Sequence, residues 1–167
     1  TGCLIIVKSE YRKQPGLSRP GGKAFDMKKK ILVTGRLPEE IMADLRQHCD
    51  VIANPGDDPM AYGAIASAIA DRDGLLCMLS DRIDAGLMER SPNLKVIAGM
   101  GVGFNHIDLD AATARGILVS NTPGANTDAA ADLAFGLMIA AARRIIEADH
   151  RTRAGEFRHW APLLFLG

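Results

Sequence analysis

The sequence predicts an α/β fold, a doubly wound five-stranded parallel sheet followed by one long interdomain helix. Two observations carry this. Short apolar runs alternate with segments of helical periodicity five times after residue 27, the pattern of strand–helix–strand units with right-handed crossovers. Beyond residue 125 the alternation stops and a long segment rich in Ala, Leu, Phe, Met and Ile, without proline from Ala129 to Ala148, begins.

Each element has a local reason. Ile31–Thr34 is a strand closed by Gly35. Pro38 opens a helix whose first turn carries Glu39 and Glu40, where negative charge suits the helix dipole. Its apolar positions Ile41, Met42, Leu45 and Cys49 follow the 3.6-residue period. Val51–Ala53 is a second strand, ended by Asn54-Pro55-Gly56, and residues 59–70 repeat the helical pattern through Met60, Ala64, Ile65, Ala68 and Ile69. Gly74–Leu79 is apolar throughout, as a central strand covered on both faces should be. Asp84–Arg90 is a short helix and Leu94–Ala98 a fourth strand. Asp108 can cap a helix that ends at Arg115-Gly116, and Ile117–Ser120 is the fifth strand. The flavodoxin-like order 2-1-3-4-5 is expected for this set. Asn126, Thr127 and Asp128 offer three caps for the last helix, expected to run from Ala129 to about Ala148. A helix of that length spans about 30 Å, and its apolar composition predicts burial between two bodies.

Composition bounds the function classes. The 167 residues are 47% hydrophobic and 24% charged, an ordinary globular balance long enough for a sizeable core. Twenty basic residues stand against 20 acidic ones, which gives no electrostatic reason to expect nucleic acid or an anionic membrane as partner. The longest apolar run, Leu133–Ala142, has ten residues, about half of what a spanning helix needs. Leu4–Val7 is too short for a signal-peptide core. Cys3, Cys49 and Cys77 lack metal-ligand spacing, so no metal is expected, and an odd, unpatterned set suits a reducing cytoplasm. Cys77, inside an apolar run, is expected to be a buried free thiol.

The two ends read differently from the middle. Residues 1–26 are basic and turn-rich, with Gln14-Pro15-Gly16 and Pro20-Gly21-Gly22, and are expected to be a disordered or non-native N-terminal extension. Met27, before three lysines and Ile31-Leu32-Val33, is the expected natural start. The domain boundaries expected are 27–125 for a substrate-binding domain and 126–167 for the interdomain helix and the start of a further domain. Leu163–Gly167 is an apolar stub that predicts continuation beyond it.

Two segments could carry chemistry. Gly99-Met100-Gly101-Val102-Gly103-Phe104 follows a strand, but its third glycine comes two residues after the second instead of three. No acid stands about 20 residues on, so it is not a dinucleotide fingerprint. Its glycines can instead let backbone amides converge on a small anion, or simply make a turn. Asn121–Asp128 leads into the long helix, whose N-terminus suits an anion or is merely capped. His106 follows the glycine loop, either near a ligand or packed structurally. His48 and His150 sit on helix surfaces, and His159 has no acid arranged beside it.

The runs Gly101–Asp108, Ala114–Gly124, Thr127-Asp128 and Ala131–Ala134 together resemble the D-isomer-specific 2-hydroxyacid dehydrogenases, from about residue 28 to the end. Members of that family have two similar α/β domains with the active site between them. The resemblance implies that Val102 and Gly103 offer backbone amides to the substrate carboxylate and that Leu79 and Ser80 line the same cleft. It implies that Thr127 contacts an NAD or NADP cofactor. Trp160, in Gly155-Glu156-Phe157-x-x-Trp160-x-Pro162, resembles the tryptophan that glyoxylate/hydroxypyruvate reductase members send towards the neighbouring subunit of a homodimer. Asp132 stands where the family has Glu. The family's GxGxxG and its catalytic Arg, Glu and His are expected beyond Gly167, so no catalytic residue is assigned in this chain. The activity implied for the parent is hydride transfer between NAD(P)H and a small 2-oxo acid, glyoxylate or hydroxypyruvate preferred, with this fragment inactive alone. The alternative is a non-catalytic flavodoxin-like binding or corepressor-like module.

Overall fold

The computed structural model describes residues 5–7 and 28–160, which fall into two compact units, Thr1–Pro123 and Gly124–Gly167. The first unit is a parallel sheet of β1 (Ile5–Val7), β2 (Lys29–Val33), β3 (Cys49–Ala53), β4 (Gly74–Cys77), β5 (Val96–Gly99) and β6 (Leu118–Asn121). Strand order is β1-β6-β5-β4-β2-β3. The five strands read from the sequence keep the expected order. The sheet has one strand more, because Ile5–Val7 pairs in parallel with β6, Ile5 opposite Val119. Three β-forming residues, Ile-Ile-Val, supply backbone partners to an edge that would otherwise stay open. The rest of the expected N-terminal extension lies outside the described residues, as does Cys3.

Four helices accompany the sheet: α1 (Glu39–His48), α2 (Tyr62–Ala68), α3 (Ala85–Glu89) and α4 (Leu109–Ala114). α3 and α4 start where short acids can cap them. Asp84 Oδ1 accepts from the Leu87 N–H at 3.0 Å, and Asp108 Oδ1 from the Ala111 N–H at 2.9 Å. Gly116, at φ 67°, turns the chain out of α4 in the left-handed conformation that glycine adopts without strain. The core gathers Leu32, Leu75, Ile97 and Val119 from the strands with Ile65, Ile69, Leu87, Met88 and Ala112 from the helices. Burying each of the larger of these side chains contributes about 1.5–3 kcal/mol.

The second unit departs from the expected single helix. α5 (Thr127–Ala142) and α6 (Ile145–Arg153) are separated at Arg144, whose φ of 51° and ψ of 39° are left-handed. The Arg144 N–H donates to the Ala141 carbonyl at 3.2 Å, tightening the last turn of α5. Its guanidinium then folds onto Glu147 in the first turn of α6, both N–O distances being 2.8 Å. That bidentate pair offsets part of the roughly 1–2 kcal/mol a left-handed non-glycine residue forfeits. α5 buries no residue, and Leu133, Phe135 and Met138 are each more than half exposed. The burial expected for this helix is therefore not supplied by the described residues. Among them, no helix is long and apolar enough to cross a membrane.

Candidate functional site

In an open parallel sheet the strands all deliver their following loops to one edge, and ligands bind there. The loops after β2, β4, β5 and β6 meet at that edge, tied by hydrogen bonds between segments far apart in the sequence.

The loop after β4 is anchored first. Thr34 and Asp81 are both buried, at 0% and 5% exposure. The Thr34 hydroxyl donates to Asp81 Oδ2, which also accepts the Met78 N–H at 2.8 Å. Thr34 Oγ1 lies 3.2 Å from the same N–H. A buried carboxylate needs such donors to offset its desolvation, and these hold Met78–Asp81 against the end of β2. Leu79 and Ser80, expected to line a cleft, sit on this anchored loop and are exposed. They line a groove of about 450 Å³ together with Asp81, Arg82, Asn105 and His106. Val102 and Gly103 are not among its lining residues.

The three glycines at the end of β5 and in the loop after it play different parts. A Cβ on Gly99 would lie 3.3 Å from the Ser120 carbonyl oxygen, and one on Gly101 would lie 2.6–2.9 Å from the Leu79 side chain. Packing therefore accounts for glycine at both positions, and the second contact brings Leu79 against the loop. Gly103 is different. A Cβ there would meet only Asn105 Oδ1 at an ordinary 3.5 Å, and its φ is not left-handed. The fold has no need for glycine at 103.

Val102 and Gly103 are both exposed, and among the described residues neither N–H has a hydrogen-bond partner. The carbonyls around them are engaged. The Thr122 N–H donates to the Gly101 carbonyl at 2.9 Å, and Asn121 Nδ2 donates to the Val102 carbonyl at 2.8 Å. The result is two adjacent, unoccupied N–H donors on a braced loop, an arrangement that can receive a small anion.

His106 is structural as well as groove-lining. Its Nε2 lies 3.7 Å from the Cys77 sulfur, and its backbone carbonyl accepts the Ile83 N–H at 2.9 Å, tying this loop to the one after β4. Burial holds the imidazole pKa below its ordinary value, with the Asp81 charge partly opposing. Cys77 is fully buried, as expected, and burial followed by the Asp81 charge pushes its thiol up to about 12. It stays protonated and unreactive at neutral pH. The described residues hold no cluster of His, Cys, Asp or Glu that could bind a metal.

Thr127 and Trp160 belong to the second unit. Thr127 is the first residue of α5, and Trp160 is 78% exposed. The sequence singled out neither Thr34 nor Asp81, and named Asn121 only as the first residue of the segment leading into the long helix. The one available signal was Asp81 itself, an acid two residues after the apolar run Leu75–Leu79.

The glycine run does not fit a dinucleotide. After Gly103 the chain reaches no helix until Leu109, so no helix N-terminus stands behind the glycines to meet a pyrophosphate.

Sheet, braced loop and free amides define the class, a parallel α/β domain with two exposed backbone donors at the carboxyl edge of its sheet. Residues 31–157 match the family model of the D-isomer specific 2-hydroxyacid dehydrogenase catalytic domain. A glyoxylate reductase of Thermofilum pendens is 44% identical over 140 residues, covering 83% of this chain and 41% of that protein. Among solved structures, the TT0316 protein of Thermus thermophilus has a TM-score of 0.76 at 38% identity, covering 83% of this chain and 44% of that one. An NADPH-dependent glyoxylate/hydroxypyruvate reductase of Sinorhizobium meliloti, solved with NADP and malonate, has a TM-score of 0.64 at 26% identity, covering 84% and 44%. The chain belongs to the D-isomer specific 2-hydroxyacid dehydrogenase family, and it spans less than half the length of these relatives.

Proposed function

We propose that this chain is the substrate-binding part of an oxidoreductase that transfers hydride between NAD(P)H and a small 2-oxo acid, glyoxylate or hydroxypyruvate by preference. The observation that carries this is Gly103, a glycine that the packing does not require, beside two exposed N–H groups without partners in a matched family domain. Glycine there leaves the backbone open to a ligand. In this reading the Val102 and Gly103 amides receive the substrate carboxylate. Leu79 and Ser80 form a wall of the cleft, and the braced loops keep the donors fixed so that little ordering is needed on binding. The names of the glyoxylate reductase from Thermofilum and the glyoxylate/hydroxypyruvate reductase from Sinorhizobium support the substrate class.

The second unit contributes Thr127 towards the cofactor and Trp160 towards a second subunit of a homodimer. The cofactor is NAD or NADP, and no Arg, Glu or His of this chain is assigned to the reaction. This chain then supplies recognition without turnover. The test is NADH or NADPH oxidation with glyoxylate and hydroxypyruvate, run on this chain and on one extended through its parent gene. Activity in the extended chain alone is expected. Turnover by the short chain, or silence in both, overturns the proposal.

A further inference from the structure

We infer that Asn121 is a positioning residue whose side-chain amide, acting through the Val102 carbonyl, sets the direction of the Gly103 N–H. The inference rests on the carboxylate reading above and adds to it the group that aims the donor.

The argument is one of peptide geometry. A trans peptide is planar, so its carbonyl and the next residue's N–H point in opposite directions, and the described chain has no cis peptide. Fixing the Val102 carbonyl therefore fixes the Gly103 N–H, and fixing the Gly101 carbonyl fixes the Val102 N–H. Both carbonyls are held from behind by the end of β6. Thr122 holds that of Gly101 with its backbone N–H at 2.9 Å, and Asn121 holds that of Val102 with Nδ2 at 2.8 Å. The first hold is made by backbone and needs no particular side chain. The second depends on one side chain.

The orientation of that side chain is determined. Reversing the Asn121 amide would set its oxygen against the Val102 carbonyl, acceptor against acceptor, so the nitrogen faces Val102. In this orientation Oδ1 is buried and makes no hydrogen bond among the described residues. Only a short side chain with an N–H donor serves. Aspartate has the shape and lacks the donor, and alanine has neither. Gly103, having no side chain, is the residue whose peptide most needs an outside brace, since glycine explores more backbone conformations than any other residue.

The experiment is ¹⁵N NMR of the labelled chain and of Asn121→Asp, titrated with glycolate, with backbone relaxation measured in parallel. In the unsubstituted chain the Val102 and Gly103 amide signals are expected to move with glycolate. In Asn121→Asp the Gly103 order parameter falls, and the glycolate midpoint weakens about tenfold, the loss of one misdirected hydrogen bond to a charged group. The Val102 signal responds less to the substitution, and the urea midpoint is unchanged, which separates positioning from general stability. Asn121→Ala removes the donor without adding charge and repeats the test should the aspartate variant fail to fold. A Gly103 order parameter and a glycolate midpoint both unaltered by the substitutions overturn the inference. An unsubstituted chain whose Val102 and Gly103 signals ignore glycolate overturns the carboxylate reading, and the order parameter alone then decides whether Asn121 holds the peptide.

Discussion

Asp81 shows how a buried side chain can govern the loop beside it. Its carboxylate is buried and takes its donors from Thr34 and from the Met78 amide, and through them it fixes the loop that carries Leu79 and Ser80. His106 faces the same carboxylate and carries a dependence on pH. The half-buried ring is disfavoured as imidazolium, so its pKa lies below the ordinary 6.5. The unfolded chain takes up a proton near pH 6.5 that the folded chain refuses. Stability from this group is therefore full above that pH and is lost as the pH falls through it, levelling once the folded ring also protonates. Urea midpoints measured between pH 7.5 and 5 should decline on the acid side, and His106→Gln should flatten the decline; an equal slope in both proteins would contradict this assignment. Val102 and Gly103 were legible as candidates from the contiguous run Gly101–Asp108, and Leu79 and Ser80 only through the family resemblance. The bracing contacts of Thr34, Asp81 and Asn121 were not legible, because each reaches a residue that only the sheet brings near it. Thr34 and Asp81, for instance, stand 47 positions apart.

At the level of elements, what was legible was whatever is determined locally. Asp84 and Asp108 each sit one residue before a helix and each caps it, as short acids do at that place. Asp84 does more, since its Oδ1 also accepts the Tyr62 hydroxyl at 2.7 Å, joining the start of α3 to α2. The two bonds lower the Asp84 carboxyl pKa, the Tyr62 hydroxyl being the larger cause. Asp84→Ala is expected to lower stability by about 1–2 kcal/mol, the usual range for a lost cap, read as a shift in the urea midpoint. A change near zero would mean that the cap is replaced by water. The break between α5 and α6 was not legible. Periodicity and the absence of proline favour one continuous helix, while the interruption depends on Arg144 adopting a conformation that its own residue type disfavours and on a guanidinium–carboxylate fork that compensates. Composition does not record that kind of balance. Nor does it say where an apolar helix finds its cover: α5 has the sequence of a buried helix and none of its residues is buried.

For the molecule as a whole, every buried hydrophobic residue among those described lies between Leu32 and Val119. The first unit thus contains its own core. A chain ended after Pro123 should melt within about 4 °C of the full one, the displacement that roughly 1 kcal/mol causes in a domain of this size; loss of cooperative melting would show that the second unit stabilises the first. The strand order was legible because alternation of strand and helix leaves few allowed topologies. The additional edge strand was not, since three residues carry too little periodicity to separate a strand from a tail. The order also has a bearing on synthesis. β3 leaves the ribosome beside β2, β4 beside β2 on its other side, β5 beside β4, and β6 beside β5. Each of these strands finds its neighbour already made, so the sheet can grow as the chain emerges, without a long wait for a distant partner. β1 is the exception: made first, it has nothing to pair with until β6, its only neighbour, appears near the end of the first unit.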